Sequence, residues 1–116
     1  MKLKHLALAV IAVLISVPTA RAVETKGVVV TIKPLHSLVS GVVGNTGKTH
    51  LLVSGNSSPH GFKFKPSQVK LLNNARIVFY IGDSFETFLE KAFQSIPGEV
   101  VKTPVAQKAR LKLLPY

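Results

Sequence analysis

The chain has 116 residues, enough for one domain and short of two. Hydrophobic residues make up 47% and charged residues 17%, which excludes a disordered chain, whose composition is polar and highly charged. Cysteine is absent, so disulfide staples, thiolate metal sites and thiol catalysis are excluded, and any metal must be held by nitrogen or oxygen.

The 15 basic and 5 acidic residues give a net charge of +10, which brings anionic partners such as nucleic acid or a membrane surface into consideration. Residues 1–22 read as a secretory signal: Lys2 and Lys4 form a basic start, Leu6 to Val17 an apolar run, and Ala20-Arg21-Ala22 an A-x-A cleavage site. The run is 12 residues long, whereas a helix needs roughly 20 to cross the hydrocarbon layer. The mature chain is therefore expected to be residues 23–116, with no transmembrane segment. It keeps 12 basic and 5 acidic groups, a net +7.

Downstream, apolar runs alternate with helical patterns. Gly27 to Ile32 (GVVVTI) is β-branched on successive residues, which suits a strand buried on both faces, and Lys33-Pro34 ends it. Leu35, Leu38, Val39, Val42 and Val43 follow helical spacing, with Gly44-Asn45 as the stop. His50 to Val53 reads as a second strand, Ser54 to Phe64 as a loop, and Pro66 as the start of a helix carrying Val69, Leu71 and Leu72. Arg76 to Ile81 (RIVFYI) is the third strand. Gly82 then turns into Asp83, which with Glu86 resembles a capping box opening a helix with Phe85, Phe88, Leu89, Ala92 and Phe93. Pro97-Gly98 stops it, Glu99 to Lys102 is a fourth strand, and Pro104 to Ala109 one more short helix. The order βαβαβαβ predicts an α/β fold, a parallel sheet with helices on both faces. Ligands of such sheets bind at the carboxyl ends of the strands, which directs attention to the loops after Ile32, Val53, Ile81 and Lys102.

Gly41 to Thr49 (GVVGNTGKT) ends like a phosphate-binding loop, but five residues rather than four separate Gly41 from Gly47. The context is also reversed, running from helix into strand. Nucleotide binding is set aside. The informative loop is Ser57-Ser58-Pro59-His60-Gly61-Phe62, where Pro59 fixes the backbone ahead of His60 and Gly61 leaves it room. A neutral imidazole presented there suits a borderline divalent metal such as zinc. His36, just after the first strand, is either a neighbour of that site or a structural residue at a helix start. His50, beside Lys48, reads as solvated, and His5 lies in the signal. Asp83 is explained by helix capping, and Glu86, Glu90 and Glu99 by solvated or capping charge. Phe62-Lys63-Phe64-Lys65 is the nearest approach to a nucleic-acid stripe, and its alternation is better explained by a half-buried segment with solvated lysines. No nucleophile, base and orienting group converge, so an enzyme is not expected.

Three segments together, Val28 to Val42 (VVVTIKPLHSLVSGV), Ser58 to Gly82 (SPHGFKFKPSQVKLLNNARIVFYIG) and Ser84 to Phe93 (SFETFLEKAF), resemble the amino-terminal lobe of the periplasmic zinc-binding proteins of bacterial ABC uptake systems. The resemblance implies a single amino-terminal lobe of a two-lobe substrate-binding protein, a periplasmic location, Zn²⁺ as the transported ligand, and a permease with its ATPase in the inner membrane as partners. A periplasmic address also removes most nucleic acid from reach. It further implies that His60, matching the histidine of the family's Ser-x-His-Asp-Tyr-like loop, is the first metal ligand, with His36 as possible site neighbour. Here Gly61-Phe62 stand where the family commonly has Asp-Tyr, which removes a carboxylate and a hydroxyl from beside the site. The family's linker helix, second lobe and remaining ligands would follow Tyr116, so the resemblance implies a truncated chain with an incomplete site. A manganese-binding relative of the same family is the alternative, and a basic anion-binding module a more distant one.

Overall fold

The computed structural model describes residues 26–55, 62–112 and 114. The signal segment and His60, the centre of the informative loop, lie outside the described residues. Four strands, β1 (Gly27–Val30), β2 (Thr49–Leu51), β3 (Ala75–Tyr80) and β4 (Val101–Pro104), form one sheet in the order β2-β1-β3-β4. Every pairing is parallel. Four helices alternate with them: α1 (Lys33–Val43), α2 (Pro66–Asn73), α3 (Leu89–Ser95) and α4 (Val105–Lys108).

Parallel neighbours need a crossover, and right-handed crossovers in this strand order place α1 on one face of the sheet and α2 and α3 on the other. The main core fills the second face. Val29, Leu52, Leu72, Ala75, Val78, Tyr80, Leu89, Ile96 and Val100 form one buried cluster, with Phe64, Leu71, Phe88, Ala92 and Phe93 packed at its margin. β1 and β3 are central because their β-branched residues can be covered from both sides; Val29, Val30 and Val78 are wholly buried.

Several boundaries differ from the sequence expectation. Helix α1 begins at Lys33, with Pro34 in its first turn, where proline's fixed φ and missing N–H cost nothing. Of its periodic apolar positions Leu35 is buried, but Leu38 and Val42 are 70% and 89% exposed. The stretch from Asp83 to Phe88 is not helix. It forms turns in which the Phe85 and Glu86 amides both donate to the Gly82 carbonyl, and α3 starts only at Leu89. Strand β4 lies two residues later than Glu99 to Lys102, because Val101 is the residue that registers with Ile77. A further polar pairing ends α3: the Lys102 ammonium donates to the Phe93 carbonyl and lies 5.5 Å above the Phe93 ring, placing a cation at the negative end of the helix.

Candidate functional site

Strand order reverses between β1 and β3, so the crevice beyond their carboxyl ends is the topological switch point where open α/β sheets bind ligands. Its floor is a buried polar cluster. Thr31, wholly buried just past β1, donates its hydroxyl to the Glu86 carboxylate, itself only 1% exposed. The other Glu86 oxygen accepts the backbone amides of Ile81 (2.7 Å) and Gly82 (3.0 Å). One carboxylate thus ties the exit of β1 to the exit of β3.

Burial raises the Glu86 pKa above its usual 4.5; the donors from Thr31, Gly82 and Ile81 oppose that shift, and the nearby Asp83 charge adds to it. Tyr80, at the end of β3, is pushed up to about 12 by burial first, then by the nearby Asp83 carboxylate and by the negative charge of Glu86. The expectation that Glu86 is a solvated or capping charge is therefore corrected. It is a core residue that satisfies two backbone amides, and Asp83 caps no helix, because α3 starts only at Leu89. The signal was present in the spacing: Glu86, Leu89 and Phe93 share one periodic face, which made Glu86 the polar member of a core-facing stripe. Glu90 and Glu99 are exposed, as expected, with Glu99 paired to Lys26.

The two flanks of the His60 loop are anchored at this same edge. Gln68, in the first turn of α2, accepts the Lys65 amide (2.8 Å) and donates to the Leu52 carbonyl (2.8 Å), joining the chain entering the loop to the chain leaving it. Phe62, Phe64 and Phe88 stack in a cluster with ring centroids 5.0 to 5.8 Å apart, while Lys63 and Lys65 stay exposed. The alternation is the half-buried segment expected, and it fastens the outgoing flank to the turn preceding α3.

His36 occupies the first turn of α1, half-buried, with its amide donating to the Ile32 carbonyl (2.9 Å); it sits at the switch-point edge. His50 is not a freely solvated residue: it lies half-buried within β2, opposite Val29, below that edge. Among the described residues no group of three His, Asp or Glu side chains converges as a metal cage.

Solved structures share this parallel α/β unit with its open edge at the switch point. The Zn(II)-bound ZnuA-like domain of Streptococcus pneumoniae AdcA superposes with a TM-score of 0.66 at 22% identity, covering 78% of this chain and 33% of that one. A periplasmic metal binding protein from Candidatus Liberibacter asiaticus gives 0.67 at 14% identity, covering 78% of this chain and 34% of that one. These likenesses establish the fold.

In sequence, the family model "Zinc-uptake complex component A periplasmic" (ZnuA) matches residues 28–114, and the chain belongs to this family. The high-affinity zinc uptake system protein ZnuA of Brucella abortus (strain 2308) is 46% identical over 79 residues, 68% of this chain and 23% of that protein. ZnuA of Haemophilus influenzae (strain Rd) is 31% identical over 106 residues, 91% of this chain and 30% of that protein. The chain thus spans under a third of the length of these relatives.

Proposed function

We propose that this chain binds zinc in the periplasm as part of the solute-binding component of an ABC-type uptake system, delivering the ion to a membrane permease and its ATPase. The observation that carries this reading is the family match across 28–114, reinforced by relatives named as zinc uptake proteins. Its task is capture and release, in which metal–ligand bonds form and break but no covalent bond of a substrate is altered.

His60 is the metal ligand in this proposal. Its loop springs from the switch-point edge, where Gln68 and the phenylalanine cluster hold both flanks. His36, on the same edge, is the candidate second imidazole. Structural neighbours include proteins solved with zinc, manganese, nickel and cadmium. Imidazole donors favour zinc over manganese, which prefers carboxylate and carbonyl oxygen. Zinc normally takes three or four protein ligands, so His60 and His36 acting without further donors would make an open, partly hydrated site. With those two imidazoles alone, affinity should be no better than about 10⁻⁵ M.

Calorimetric titration of the purified chain with zinc tests the proposal. His60→Ala should abolish binding, His36→Ala should weaken it several-fold if its ring is the second ligand, and His50→Ala should leave it unchanged. Binding should also weaken on acidification, because a proton competes with the metal for an imidazole nitrogen. Undiminished binding by His60→Ala would overturn the assignment.

A further inference from the structure

A second site lies at the opposite end of the sheet. Beneath the amino ends of β1, β2 and β3, a groove of about 550 Å³ runs along α2, within the size range of small-molecule sites. Its polar lining comes from Lys26, Lys48 and Lys70, the His50 imidazole, Ser67 and Asn74. Among the described residues no carboxylate lines it, and Glu99 pairs with Lys26 from outside the lining. Lys48 and Lys70 therefore leave an uncompensated charge of +2 among the described residues, and hydroxyl, amide and imidazole groups add donors between them.

The backbone has made room for the imidazole. A Cβ at Gly27 would lie 2.9 Å from His50 Cδ2 and 3.1 Å from Nε2, closer than side chains pack. With hydrogen in its place, the ring rests against the groove floor instead of swinging outward.

From this we infer that the groove is a binding site for a phosphoryl group, separate from the metal edge. Lysine ammonium groups bind phosphate as point charges, and a phosphoryl group, with oxygens on several sides, can accept from lysine, hydroxyl and imidazole donors at once. The ligand can be a small soluble phosphate ester or the headgroup of an anionic phospholipid, since both present the same chemistry. The strongly basic composition, which zinc capture does not use, has here a concave destination.

The test uses the full chain in zinc-free buffer, titrated with inorganic phosphate and then glycerol 3-phosphate, read by amide chemical shifts and calorimetry. Saturable one-to-one binding is expected, with shifts centred on Gly27, Lys48, His50 and Lys70. Lys48→Gln and Lys70→Gln should each weaken it by about tenfold, the scale of one lost charge-assisted hydrogen bond. Gly27→Ala should weaken it by displacing the ring into the groove, and exposed Lys91→Gln, outside the lining, should not change it. Phosphatidylglycerol vesicles, with phosphatidylcholine as control, distinguish the sources: co-sedimentation abolished by Lys70→Gln marks a lipid headgroup, and its absence alongside ester binding marks a soluble ligand. Non-saturating shifts, no response to either phosphate, or equal weakening by Lys91→Gln would overturn the site and leave only diffuse charge attraction.

Discussion

Glu86 is a carboxylate buried where charge is disfavoured, retained because three donors converge on it. Truncating it would orphan the Ile81 and Gly82 amides and the Thr31 hydroxyl, each a buried donor costing about 1–3 kcal/mol when unpaired. Glu86→Ala should therefore lose roughly 2–4 kcal/mol of unfolding free energy, after allowance for water entering the gap. Glu86→Gln keeps the shape: its carbonyl can accept both amides while its NH₂ donates to Thr31. The pH dependence separates charge from shape. Because folding raises the Glu86 pKa above 4.5, its contribution is fully present below that pH and is lost as pH rises through the folded-state value. Urea unfolding from about pH 4 to about pH 7 should show the wild type losing ground to Glu86→Gln as pH climbs; parallel curves would contradict the assignment.

At the scale of elements, α1 separates the pattern of a helix from its burial. Leu35 is 6% exposed and Val42 89% exposed, although both fall on the same periodic series. Leu35→Ala should cost about 2–4 kcal/mol, while Val42→Ser should stay within roughly 0.5 kcal/mol; thermal melts of the two variants check this. The central strands were readable because β-branched runs of GVVV and RIVFY type have few other uses, and Pro66 marked the first residue of α2. The segment after β3 was not. Local spacing allowed a helix from Asp83, but the Glu86 carboxylate turns back to the Ile81 and Gly82 amides, and the chain makes turns until Leu89. That preference depends on Thr31, 55 residues earlier, so no local pattern could reveal it. The β4 shift has the same origin, since register with β3 is a non-local choice. For the candidate site, a histidine between proline and glycine could be read as a ligand candidate, whereas the Gln68 bridge and the buried Thr31–Glu86 floor become visible only when distant segments meet.

Among the described residues, one face of the sheet carries a full core and the other a thinner cover, with Val28, Ile77 and Phe79 only half-buried. An unfolding free energy of about 5 kcal/mol, the low end of the usual range, is expected from urea titration. Zinc should raise it by mass action. At a free concentration roughly 100 times the dissociation constant, one site that exists only in the folded chain adds about 2.7 kcal/mol. The same denaturation series on His60→Ala should show no zinc-dependent gain, and an equal gain would place the metal elsewhere.

The most direct measurement follows the histidine ring signals of the full chain by ¹H–¹⁵N NMR during zinc titration. The His60 imidazole should shift first and saturate with one zinc per chain, while His50, held in β2 at the other end of the sheet, should not move. A spectrum in which His50 responds first, or in which His60 stays unshifted at saturating zinc, would contradict capture of the metal at the carboxyl edge.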